Sequence, residues 1–201
     1  LNNFNNNLSD SSCDFLNIVW PKLQQLEWLK GELLPVEATT YKEWAKKLDV
    51  LAGIDAWLVK EKMGLVGIAS RVQWNPKRNN RDYPYNTFNI RYSRISGANT
   101  EYQKRLAAIT SGGELLYPFW MCHAYLENKK IGPLLSLGLV KTTDAIEAIA
   151  LGLGYNQRNP NDGTIFKCIP WQSLVSRGYK VLTFPFYLQD KLPLNNPPLV
   201  E

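Results

Sequence analysis

Four polar side chains recur at two-residue spacing in this chain: Arg71 and Gln73, then Asn89 and Arg91. In a β-strand that spacing puts both members of a pair on one face. Arginines on a strand face suit bidentate grip of phosphate oxygens, because the guanidinium fork matches their geometry. Arg94 and Lys104 follow closely, and the intervening loop adds Lys77, Arg78 and Arg81 with Tyr83 and Tyr85. Tyrosines among such cations can stack on nucleic-acid bases or simply anchor the loop. A half-exposed sheet with polar outer residues accounts for the same four strand positions without any ligand.

The charge is concentrated where those residues lie. Positions 71–105 hold eight basic residues against two acids, Asp82 and Glu101, an excess larger than the +5 of the whole chain. A cluster of this kind points to DNA or RNA, or to a solvated basic face. Composition narrows the other classes. Three scattered cysteines, Cys13, Cys122 and Cys168, form no CxxC pair, which argues against a disulfide framework or a cysteine zinc site and for a reducing, cytoplasmic setting. His123, the single histidine, sits in the apolar "FWMCHAYL" and reads as a core residue. No 18-residue apolar run and no basic-then-apolar leader pattern occur, so no membrane partner is expected. Ser136 lacks a GxSxG elbow, and neither a Walker A loop nor a GxGxxG follows a strand.

The elements that must position these residues follow from hydrophobic period. A helix is expected over 14–30, kinked or restarted at Pro21, and a second over 40–49 with a Thr40/Glu43 capping box. Strands are expected at 54–59, 65–74 and 87–94. Thr100 caps a helix over 101–109, and strands follow at 119–126 and 134–140. Thr142 or Thr143 opens a helix running to Ala150. After a loop over 154–163 come a strand at 164–169, a helix at 171–176 and a strand at 179–184. One α/β domain over 14–186 results, with a mixed central sheet flanked by helices. The Asn- and Ser-rich residues 1–13 are expected to be flexible, and the proline-broken 187–201 extended.

Helix, three strands, helix and strand, with "GIDAW" and "GIASRVQW" on the first two strands, is an order that resembles the PD-(D/E)XK, or restriction-endonuclease-like, nuclease superfamily over residues 41–126. The resemblance implies a Mg²⁺- or Mn²⁺-dependent endonuclease, with Asp55 matching the family's first acid. The family's next strand supplies an acid and, two residues on, a lysine; Arg71 and Gln73 stand there instead. Since a hard cation needs oxygen ligands, the resemblance implies that a second metal-binding acid has migrated to the following helix, where Glu101 is placed for it. Asp55, Glu101 and Gln73 then form the catalytic set, and Arg71, Asn89, Arg91, Arg94 and Lys104 hold phosphate. Glu101 can equally form an i,i+4 ion pair with Arg105. The expected function is nucleic-acid phosphate binding on a nuclease-like core, with metal-dependent phosphodiester hydrolysis as its enzymatic form. The alternatives are a non-catalytic DNA- or RNA-binding protein and a protein-interaction module for an acidic partner.

Overall fold

In a computed structural model of the chain, residues 10–36, 52–60, 64–74 and 86–184 are described. The candidate residues Lys77, Arg78, Arg81, Tyr83 and Tyr85 and the expected helix at 40–49 lie outside them. Nine strands occur among the described residues: β1 (Glu32–Pro35), β2 (Ala56–Lys60), β3 (Gly64–Trp74), β4 (Thr87–Ser93), β5 (Trp120–Leu126), β6 (Leu134–Lys141), β7 (Tyr155–Arg158), β8 (Ile165–Pro170) and β9 (Val181–Phe184). The helices are α1 (residues 10–23), α2 (Glu101–Thr110), α3 (Thr142–Ala150) and α4 (Trp171–Ser176). None is long and apolar enough to cross a membrane.

The architecture is mixed α/β, as the element pattern implies, but the strands divide between two sheets. Six strands form one sheet in the order β1-β2-β3-β5-β6-β9, with β3 and β5 parallel and the other neighbours antiparallel. β4, β8 and β7 make a second, antiparallel sheet. The mixed central sheet is present, but 87–94 does not lie in it beside 65–74. Parallel pairing from Ile68↔Trp120 to Trp74↔Leu126 fills the edge of β3 that β4 would have needed. Two strands escape the sequence pattern. β1 is a four-residue edge strand ending in proline, and β7, "YNQR", has no apolar alternation and exists because it pairs with β8.

The helix expected over 14–30 ends at Leu23 and is followed by a 3₁₀ turn, Glu27–Leu29. Its middle, Phe15–Val19, is π-helical. Pro21 has no N–H to close the next α-helical bond, so the wider turn before it accommodates the break. α2 begins as the sequence indicates. Thr100 Oγ1 accepts from Gln103 N at 3.3 Å while Thr100 N donates to Gln103 Oε1 at 2.8 Å, a reciprocal capping box.

Each face of the large sheet buries a separate core. Against α1, Phe15, Val19, Trp20 and Leu23 pack on Leu58, Ile68, Val72, Cys122, Leu137 and Leu139. Behind the opposite face, Ala69, Met121 and Val140 meet Phe88 and Ile90 of β4, Ile146 and Ile149 of α3, and Trp171 and Leu174 of α4. Alternation along β3 decides the assignment: Ile68, Ser70 and Val72 look to α1, and Ala69, Arg71 and Gln73 to the second sheet. The α1 side is tied down further by Asp14. Its carboxylate accepts from Trp74 Nε1 at 2.6 Å and from Lys130 N at 3.0 Å, which joins α1 to β3 and to the β5–β6 turn.

Gly138 on β6 shows how closely the second layer seats. A Cβ there would stand 2.0 Å from Cε2 of the Trp171 indole, which occupies the space. Gly138→Ala is expected to destabilise the protein by about 3 kcal/mol, the upper end for an overpacked core. Urea denaturation reads this as a lower midpoint at unchanged slope. Trp171→Leu added to Gly138→Ala should recover part of the loss.

Candidate functional site

Among the described residues, β4 pairs with β8 along one edge only. Its other edge faces the side chains of β3 and β5, and they take up its backbone groups one by one. Asn89 N donates to His123 Nδ1 at 3.1 Å, and Asn89 O accepts from Arg71 Nη1 at 3.3 Å. Thr87 O accepts from Tyr125 Oη at 3.1 Å. Arg71 and His123 are register partners on the parallel pair, as are Gln73 and Tyr125, so all four project from one face.

Side chain joins backbone in this network. Arg71 Nη1 donates to Asn89 Oδ1 at 2.6 Å, and Asn89 Nδ2 donates to Tyr125 Oη at 2.9 Å and to Gln73 Oε1 at 3.2 Å. Arg71 Nη2 reaches Glu101 Oε2 at 2.7 Å, with about a fifth of each side chain exposed. Thus Arg71, Gln73, Asn89 and Glu101 do converge, although their strands belong to different sheets. They converge as mutual partners. The i,i+4 alternative for Glu101 is replaced by this long-range pair, while Arg105 is buried and donates to the carbonyls of Ala52 and Gly53. Gly53 is required there, because its φ is +57° and a Cβ would collide with the Arg105 guanidinium.

Burial pushes the Glu101 carboxyl up, but Arg71, and after it Arg105, His123 and Arg91, outweigh that effect and hold it below the ordinary range. His123 is the core histidine its apolar context suggests, 3% exposed and stacked on Phe88 with ring centroids 4.8 Å apart. Burial, aided by the Arg71 charge, lowers its pKa to about 3, so the ring stays neutral and Nδ1 remains an acceptor.

Asp55 is on the other side. Its carboxylate accepts from the amide N and the hydroxyl of Ser70, and it lines a cavity of about 230 Å³ with Ser12, Cys13, Phe15 and Leu16 of α1. Glu101 bonds to Arg71, the neighbour of Ser70, on the opposite face. The two acids expected to share a metal are therefore separated by β3 itself. Among the described residues no group of three or more His, Cys, Asp or Glu side chains is arranged to hold a metal ion. Among the described residues, Asp55 and Glu101 therefore do not form one donor set for the Mg²⁺ or Mn²⁺ that the nuclease resemblance implies. Gln73 serves the Asn89 amide.

Beyond Asn89 the second sheet carries one further row on the same face. Arg91 pairs in register with Phe166, and Phe166 with Gln157; Asn89 pairs with Cys168, and Cys168 with Tyr155. The Arg71 guanidinium carbon lies 5.6 Å from the Phe166 ring centroid, so Arg71 of the large sheet meets the row of Arg91 and Phe166 at the junction of the two sheets. Arg91 is half-buried and has no hydrogen-bond partner among the described residues. Burial lowers its pKa first and Arg71 second; Glu101 acts the opposite way, Arg94 lowers it further, and Asp162 raises it. Arg94, just past β4, and Lys104, on α2, are half-buried.

Sequence reasoning missed Tyr125, His123 and Phe166 as partners of this group. The alternation Met121, His123, Tyr125 within "WMCHAYL" carried the signal, since two of three residues on that face are polar.

Two outcomes follow. Arg71→Met strands the Glu101 carboxylate and the Asn89 carbonyl, and is expected to cost about 1–3 kcal/mol; Glu101→Leu added to it should recover part, which a double-mutant cycle measures. For His123, the unfolded chain takes up a proton near pH 6.5 and the folded protein only near pH 3. Its contribution is full above pH 6.5 and is lost on acidification, at about 1.4 kcal/mol per pH unit within that window. His123→Gln should remove that slope in chemical denaturation between pH 4 and 7. No family model, curated protein or solved structure matches this chain.

Proposed function

We infer that this protein binds the sugar–phosphate backbone of a nucleic acid beside Arg91, at the junction of its two sheets, and that it does so without metal chemistry. The observation that carries this reading is Arg91. A half-buried guanidinium without a hydrogen-bond partner among the described residues, beside a second guanidinium, is a standing demand for an anion. Arg71, Arg91 and Arg94 face two carboxylates, Glu101 and Asp162, which leaves one positive charge uncompensated. Glu101 and Asn89 hold Arg71 in place, so Arg71 contributes field and shape, and Arg91 the open donors. The basic residues of the 75–85 segment extend the same charge along the chain. Separation of Asp55 from Glu101 by β3 favours binding over hydrolysis on the nuclease-like pattern.

Fluorescence anisotropy with labelled oligonucleotides across a salt series tests this. Affinity should fall linearly in log–log form, and Arg91→Ala should weaken binding and reduce the slope by about 0.7–0.9, the signature of one lost phosphate contact. EDTA should leave affinity unchanged. Wild-type affinity and slope in Arg91→Ala would refute the assignment to Arg91.

A further inference from the structure

We propose that the cavity beside Asp55 is a binding site for a small organic ammonium ion, an apolar body carrying one protonated amine. The cavity of about 230 Å³ lies between α1 and the β1, β2 and β3 strands of the large sheet. An apolar cavity of about 150 Å³ is enough to hold benzene, so this one has room for a single ring on a short arm. The site is separate from Arg91 and from the nucleic-acid reading. Ser70, on the cavity wall, and Arg71 are successive residues of β3 and project to opposite faces of the sheet.

The lining carries both halves of that ligand's chemistry. Phe15 and Leu16 of α1, with Pro35 of β1 and Ala56 of β2, make the apolar walls. Asp55, at the entry to β2, is the one charged side chain that the described residues bring to the lining. Its carboxylate is half-buried and accepts from the amide N and the hydroxyl of Ser70. Those neutral donors leave its negative charge in place, and two carboxylate oxygens offer about four acceptor positions. An ammonium N–H can therefore add to the partners that Asp55 already has. A charge-assisted bond of this kind is about twice as strong as a neutral one, and apolar walls strengthen it by lowering the local dielectric. A neutral molecule of the same shape gains the walls alone, and an anion meets a like charge. The cavity thus selects by charge at a fixed size.

Cys13 supplies the reporter for the test. It lines the cavity and is exposed, whereas Cys122 and Cys168 are buried. Dithiodipyridine, which reacts with thiols and not with amines, should modify Cys13 first in the native full chain. An occupant of the cavity should slow that reaction. Benzylamine, benzyl alcohol and benzoate share one ring and differ in charge at neutral pH. Benzylamine should protect Cys13 with a half-maximal concentration on the order of 1 mM, an ordinary strength for so few atoms. Benzyl alcohol and benzoate should need about ten-fold more, the value of one charge-assisted bond. Asp55→Asn keeps the shape and an acceptor for Ser70, and should bring benzylamine down to the level of benzyl alcohol. Arg91→Ala should leave protection by benzylamine at the wild-type level. Equal protection by all three compounds, or full benzylamine protection in folded Asp55→Asn, overturns the ammonium assignment. Protection by none of them overturns the site. The wild-type ranking decides the matter even where Asp55→Asn fails to fold.

Discussion

A β-strand laid against the face of another sheet, with no strand beside its outer edge, leaves backbone N–H and C=O groups that burial would otherwise leave unpaired. Among the described residues β4 is such a strand, and the arrangement around it follows from that requirement. Arg71, His123 and Tyr125 rise from two parallel neighbours of the large sheet and meet its outward groups in order. Side chains here do the work of a tenth strand. His123 must be neutral to accept a proton donor at Nδ1, and its dry surroundings keep it so. Arg71 must keep its orientation, and Glu101 from the capped start of α2 holds it. The position of α2 is thereby coupled to the packing of one sheet on the other.

This arrangement changes what polar residues on a strand face signify. Arg71, Gln73 and Asn89 satisfy one another, so their convergence by itself is accounted for by the architecture. Arg91, two residues along β4, lies on the same face but stands outside the hydrogen-bonded set. The functional content of the cluster lies in that contrast between donors already bonded and donors left open. Asp55 shows the same distinction from the other direction. It is an acid at the start of a strand, as a nuclease would have it, yet it turns to the α1 side and to Ser70.

Much of the local structure was legible. Alternation in 65–74 and 87–94, the Thr100 cap and the helix opening at Thr142 all correspond to observed elements. These features are set by neighbours within a few residues. Sheet membership was not legible, because the parallel pairing of β3 with β5 is decided by partners far apart in sequence. The polar faces of 65–74 and 87–94 meet because one strand's edge sits on the other's face. β7 was missed for a related reason, its four polar residues being strand only through β8. At the site, residue types were readable and their partners were not. Glu101 is a surface-looking acid at a helix start, and only the tertiary fold supplies Arg71.

The parallel junction has a consequence for how the chain must assemble. β2–β3 and β5–β6 are antiparallel neighbours close in sequence and can form as local hairpins. Joining them pairs Ile68 with Trp120 and closes a long loop that itself contains β4 and α2. The entropy of that closure falls on the middle of the sheet, not on its margins. The crossover segment then lies across the very pair of strands it connects, and the Arg71, His123 and Tyr125 contacts fasten it there. The middle of this protein is thus the last part that local structure alone can build, and a polar latch holds its closure.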